Sequence, residues 1–214
     1  MEIKNKNILV ICAHIDDETY GMGGTLLKLA NPKLNNKIRV LTFCHGMGRQ
    51  DEKRITKYYK NIDNIGIDGM ILNYNDVTLE QENTLELTRV MNEYTEITLS
   101  DIDIVFTHKK EDTHPDHWII SDLVDIWARN KKISIFHFGI GVNNEYYNKP
   151  LNPQCIIDIT GYEKNKKKLI KTYKKYPKNH PLSYKKIKAK DKYNGSLISV
   201  KYAEIFEIKR MCIE

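Results

Sequence analysis

Short apolar runs rich in isoleucine and valine recur along the chain, and a stretch with helical spacing follows each. The first, Asn7-Ile8-Leu9-Val10-Ile11-Cys12, shows no polar alternation, which marks a strand buried on both faces. Ile38–Phe43 predicts a second strand, Gly69–Leu72 a weaker third, Asp103–Thr107 a fourth and Ile133–His137 a fifth. Helical stretches fall between or after them at Thr25–Ala30, Asp51–Ile65, Leu79–Thr98 and Asp116–Arg129. Strands that alternate with helices predict an α/β fold, Rossmann-like, whose mostly parallel sheet is covered by helices on both faces. Right-handed crossovers bring the C-terminal strand ends to one edge. Ligand sites of open α/β sheets lie beyond those ends.

The last third breaks this rhythm. Pro153–Ile159 reads as a strand, Tyr162–Tyr176 as a lysine-rich helix and Tyr202–Ile208 as a final strand. Between them, Pro177–Lys192 carries Pro177, Pro181 and many lysines, and predicts a mobile surface loop. At 214 residues the chain is expected to form a single domain. With 41% hydrophobic and 29% charged residues, disordered and collagen-like classes are excluded. No apolar run reaches the ~18 residues of a membrane span. The polar N-terminus leads into a run too short for a signal peptide, so a cytoplasmic protein is expected.

Cys12, Cys44, Cys155 and Cys212 lie far apart with no C-x-x-C pair, which suits neither a zinc cluster of thiolates nor a disulfide scaffold. Buried, reduced thiols are the expectation for Cys12 and Cys44. The net charge of +6 is concentrated: 13 lysines against Glu163 and Asp191 give Gly161–Lys192 a balance of +11, leaving 6 − 11 = −5 for the rest.

Two polar clusters sit just past predicted strand ends. The first strand runs into Ala13-His14-Ile15-Asp16-Asp17-Glu18, and the fourth runs through Thr107-His108 into Asp112-Thr113-His114-Pro115-Asp116-His117. Catalytic zinc takes three protein ligands from His, Asp or Glu and keeps a fourth position for water. His14 and Asp17, three residues apart at the turn into a helix, can converge on one ion, and His117 can supply a third ligand from the neighbouring loop. Any one of these residues alone reads as a loop or capping group, since Asp16, Asp17 or Asp116 would suit a helix N-terminus. Two such clusters at two strand ends of one sheet are hard to produce by capping. His108, at the end of the fourth strand, is expected to line the site or hydrogen-bond Asp112. Gly21-Met22-Gly23-Gly24 lacks both phosphate-loop and dinucleotide spacing and reads as tight packing at a helix start.

Ala-His-x-Asp-Asp-Glu after the first strand, with His-Pro-Asp-His after a later one, resembles the LmbE-like family of zinc-dependent deacetylases, which includes the de-N-acetylase of N-acetylglucosaminyl-phosphatidylinositol. Glu52-Lys53-Arg54 through Gly66 is similar to the family's arginine-bearing second helix. Cys155–Thr160 with the helix carrying Lys166 and Tyr173, and Tyr202-Ala203-Glu204, are similar to its C-terminal part. The resemblance implies that His14, Asp17 and His117 bind zinc and that Asp16 is the general base. It implies that His114, protonated, faces the substrate carbonyl, that Asp116 orients a histidine and that Arg54 lies near the sugar. Where the family usually has proline between the first His and Asp-Asp, this chain has Ile15. The activity implied is removal of the N-acetyl group from an N-acetylglucosamine-type conjugate. The partner is then a small N-acetylated sugar conjugate, to which the lysine-rich segment would add an anionic group; self-association stays open. A basic domain that binds nucleic acid is the alternative, through lysines interleaved with Tyr173, Tyr176, Tyr184 and Tyr193, but no nucleic-acid motif accompanies them and no nucleic-acid partner is expected. A dinucleotide-dependent oxidoreductase falls on the missing glycine fingerprint.

Overall fold

β1 (Asn7–His14) lies inside the sheet between β2 (Lys37–Gly46) and β4 (Ile104–His108), parallel to both. The computed structural model describes residues 2–46, 52–98, 101–140, 151–173 and 177–212. Among them, β3 (Asp68–Asn75) extends the sheet beyond β2, and β5 (Ser134–Phe138) extends it beyond β4, both parallel. The antiparallel strands β7 (Ala203–Arg210) and β6 (Cys155–Asp158) complete the order β3-β2-β1-β4-β5-β7-β6. The expected α/β architecture with a mostly parallel sheet is therefore the observed one.

β1 shows why its sequence has no alternation. Ile8, Val10 and Cys12 pack with Leu26 of α1 (Asp17–Leu29), Tyr58 of α2 (Glu52–Ile65) and Leu169 of α5 (Glu163–Thr172). Leu9, Ile11 and Ala13 pack on the opposite face with Leu87 of α3 (Thr84–Thr98) and Ile120 of α4 (Pro115–Trp127). Each fully buried aliphatic side chain stabilises the fold by about 1.5–3 kcal/mol relative to exposure. All four cysteines are free, with Cys12 and Cys44 buried. Among the described residues, no helix is long and apolar enough to cross a membrane.

Two expectations need correction. The first helix starts at Asp17, not Thr25, and runs through the glycine cluster with a kink at Met22 (φ −146°, ψ 24°). The glycines permit close packing that helix propensity does not register: a Cβ on Gly21 would meet Phe138 at 2.5 Å, and one on Gly24 would meet Ile159 at 2.6 Å. Past the kink the helix restarts, and its free N–H groups at Gly24 and Thr25 donate to the Glu204 carboxylate at 2.9 and 2.6 Å. Second, much of the expected loop Pro177–Lys192 is helical, in α6 (Tyr184–Ser196). Ser183 caps it by accepting the Lys186 N–H, while Ile187, Asp191 and Asn194 face inward at helical spacing. Only Ile187 of these is apolar, so the inward face gives no hydrophobic period. The expected helix end at 174–176 lies outside the described residues.

Candidate metal centre

β1 ends at His14, and the chain turns at once into α1. Asp16 makes the turn with φ 100° and ψ −14°, a left-handed conformation that costs a non-glycine residue on the order of 1–3 kcal/mol. Several contacts fix it there. The Asp16 N–H donates to Glu18 Oε2 at 3.2 Å, and its carbonyl accepts from Thr19 and Tyr20 N–H at 3.0 Å. Arg54 Nη2 donates to the Ile15 carbonyl at 3.0 Å and stands 3.6 Å from Asp16 Oδ2. Glu18 is wholly buried; its Oε1 accepts from the Thr19 hydroxyl at 2.7 Å and from the Tyr173 hydroxyl at 3.0 Å. Burial raises the Glu18 carboxyl to about 7 against these hydrogen bonds.

The second cluster is set by the start of α4. His114 is its N-cap, with Nδ1 accepting the Asp116 N–H at 3.3 Å, and Pro115 occupies the first helical turn, where its missing N–H is no loss. The first turn then carries Asp116 and His117 toward the end of β1.

Three atoms meet there. His14 Nδ1 lies 3.4 Å from Asp17 Oδ2 and 3.2 Å from His117 Nε2, and the last two are 3.6 Å apart. Ligands about 2.0–2.1 Å from a tetrahedral zinc stand about 3.4 Å from one another, so the triangle has the size of one zinc face. A carboxylate lies against the outer nitrogen of each ring. Asp116 Oδ2 lies 2.9 Å from His14 Nε2, and Asp112 Oδ2 lies 2.9 Å from His117 Nδ1. With a proton held at each of those nitrogens, the lone pairs of His14 Nδ1 and His117 Nε2 point into the triangle with Asp17 Oδ2. This is the carboxylate–histidine arrangement that serves metal ligands. His14, His114 and His117 also bring ring nitrogens within 4.8 Å of each other, and the ligand atoms of Asp17, His108 and His117 lie equally close.

Burial pulls His14 down, but Asp116 and Asp17 outweigh it and raise it to about 10. Asp17 is held well below the usual carboxylate range, with His117 and His108 overcoming its burial. Asp16 is pushed up by burial, and further by Asp17 and Glu18, with Arg54 opposing. Burial, then His117 and His14, lower His114. That lowering, and the Asp116 N–H that Nδ1 accepts, both favour the neutral ring of His114 over the protonated form that the resemblance implies.

His108 is wholly buried against Asp17 and His117. Its Nε2 accepts the Ala13 N–H at 3.0 Å and lies 3.1 Å from Asp17 Oδ2, while its ring stacks on His117 at 4.0 Å between centroids. Its expected partner Asp112 serves His117 and the His114 N–H instead. Arg54 is drawn into the turn, and its Nη1 is 3.4 Å from Asp76 Oδ2. Asp76 and the Glu18–Tyr173 pair escaped sequence reasoning. Asp76 lies in a polar stretch without a motif, and Tyr173 is 155 residues from its partner.

Three solved structures share the fold. The N,N'-diacetylchitobiose deacetylase of Pyrococcus horikoshii superposes with a TM-score of 0.74 at 21% identity, covering 99% of this chain and 88% of its own. The conserved protein TT1542 of Thermus thermophilus gives 0.73 at 21% identity over 98% and 96%. GalB, the 4-carboxy-2-hydroxymuconate hydratase of Pseudomonas putida, gives 0.75 at 15% identity over 98% of each chain. No curated protein sequence matches the chain. The family model described as PIG-L, GlcNAc-PI de-N-acetylase, matches residues 9–128, a span that holds both histidine clusters and more than half of the chain, which therefore belongs to the PIG-L family.

Proposed function

We propose that this chain is a zinc-dependent hydrolase that removes the acetyl group from an N-acetylglucosamine-type sugar conjugate. The observation that carries the reading is the triangle of His14 Nδ1, Asp17 Oδ2 and His117 Nε2, with Asp116 and Asp112 aiming the two rings. Two imidazoles and one carboxylate are the donor set of a hydrolytic zinc. Zinc bound there supplies Lewis acidity and lowers the pKa of a water from 15.7 to about 7.

The remaining roles fall to residues outside the triangle. Asp16 adjoins Asp17, and its burial makes its carboxylate more basic, which suits it to take the proton from the attacking water. The water oxygen bonds to the acetyl carbon, and negative charge gathers on the former carbonyl oxygen. His114 Nε2–H donates to that oxygen. The C–N bond then breaks, the amine takes back a proton from Asp16 or His114, and acetate and free amine are the products. Arg54 fixes the Asp16 turn and stays partly exposed, which suits it to meet sugar hydroxyls. His108 packs against Asp17 and His117. The chitobiose deacetylase likeness supports this substrate class. The test is acetate release from a panel of N-acetylglucosamine conjugates, with and without chelator. Chelator-sensitive acetate release is expected, and no release from any conjugate by zinc-loaded protein would overturn the reading.

A further inference from the structure

Helices α2 and α5 lie side by side, tied by the Asn61 side-chain amide, which donates to the Leu169 carbonyl at 3.0 Å. Between them runs a groove of about 680 Å³ lined by Lys53, Thr56, Lys57 and Lys60 from α2 and by Lys168, Lys171 and Thr172 from α5. The α2 positions are spaced i, i+3, i+4 and i+7, and the α5 positions i, i+3 and i+4, so each set forms one helix face. Among the described residues no carboxylate lines the groove, and none of its five lysines makes an ion pair. Other lysines nearby are engaged: Lys166 lies 2.6 Å from Asp191 and 2.7 Å from Glu204, Lys167 sits over the Tyr184 ring, and Lys190 donates to the Gly139 carbonyl.

Five like charges facing one concave space repel one another and raise the local concentration of anions. From Lys53 to Lys60 the α2 wall is about 10 Å long at 1.5 Å per residue, room for more than one oxyanion in a row. The two threonine hydroxyls donate within their own helices, Thr56 to the Glu52 carbonyl and Thr172 to the Lys168 carbonyl, which leaves the lysines as the groove's side-chain donors. No aromatic side chain among the described residues lines the groove, so it lacks the stacking platform that single-stranded nucleic acid uses. At one end, each wall is followed in sequence by a residue that reaches the turn after β1. Lys53 precedes Arg54, which holds the Asp16 turn, and Thr172 precedes Tyr173, which donates to Glu18.

We infer that the groove binds a linear polyanionic glycan, one bearing phosphate or sulfate groups along its length, and leads its terminal N-acetylated sugar toward the centre. Delivery of that sugar rests on the deacetylase reading; the binding itself is measured without catalysis. The probes are tripolyphosphate, a sulfated oligosaccharide, inorganic phosphate and a single-stranded oligonucleotide of matched charge, titrated calorimetrically into the whole protein. A variant with Lys57, Lys60, Lys168 and Lys171 changed to Gln is compared with one of equal net charge in which Lys33, Lys185, Lys186 and Lys192 become Gln. Tripolyphosphate or the sulfated oligosaccharide is expected to bind at least about tenfold more tightly than phosphate, and salt is expected to weaken it. Stronger binding of one of the two distinguishes a phosphorylated from a sulfated chain. The groove variant is expected to lose about tenfold or more while the control stays near wild type, and the four Lys→Arg changes should retain binding in a fold that melts normally. Equal losses in both variants would reduce the effect to net charge and overturn the proposal. So would no polyanion selectivity, or an oligonucleotide that binds as tightly as the sulfated chain.

Discussion

One oxygen of Asp116 serves His14 and Val77 together: Oδ2 lies 2.9 Å from His14 Nε2 and accepts the Val77 N–H at 2.6 Å. Val77 holds that contact with φ 65°, a conformation disfavoured for a β-branched residue, in the loop that follows β3. The carboxylate thus joins the second cluster to the first and to a neighbouring loop. Asp116→Asn is expected to weaken zinc affinity about 10–100-fold while leaving the three ligands in place, as measured by competition with a chelating dye. Unchanged affinity would show that His14 needs no orienting partner.

His14→Ala, Asp17→Ala and His117→Ala are each expected to lose stoichiometric zinc and acetate release together. Metal analysis of the purified proteins checks this. A full equivalent of zinc in all three would remove the ligand assignment.

Asp16→Asn and His114→Ala should keep zinc and lower kcat by about 10²–10⁴, the range for a positioned proton-transfer group. Near-normal kcat in Asp16→Asn would require another base.

His137 of β5 is 4% exposed, and burial lowers its pKa to about 4. The neutral ring is favoured in the folded state, so between pH 6.5 and about 4 the unfolded chain binds a proton that the folded chain refuses. Stability should therefore fall as pH drops through that window and level off below it, by at most about 3 kcal/mol from this group. Urea unfolding at several pH values, wild type against His137→Asn, checks it. The difference between the two should shrink as pH falls, and a parallel pair of curves would refute the assignment.

Lys166 is 2% exposed and joins Asp191 to Glu204. Lys166→Met leaves two buried carboxylates facing each other and should cost about 3–5 kcal/mol in denaturant unfolding. A loss below about 1 kcal/mol would show that water already reaches the pair.

The parallel sheet was legible because β1 buries both faces, and a strand of that kind spells itself as an unbroken apolar run. The two clusters were legible because strand ends converge on one edge, which brings His14 and His117 together across 103 residues. Helix α6 was not, because its inward positions include Asp191 and Asn194, whose polar side chains give no apolar period. The start of α1 was hidden by Gly21 and Gly24, residues chosen for the space beside Phe138 and Ile159 and not for helicity. Asp112 was legible as a member of its cluster but not as the partner of His117, because a carboxylate's choice between two nearby rings is made by tertiary packing.

The kink in α1 also sets an order of events. The N–H groups freed at Gly24 and Thr25 find their acceptor in Glu204, 180 and 179 residues further along. A chain made from its N-terminus displays His14 and Asp17 early, but the part of α1 past the kink meets this acceptor only once β7 has been made. Contacts of such long sequence separation form late and slowly. The turn that holds His14 and Asp17 is thus written near the beginning of the message, while the partner of the helix behind it comes only near its end.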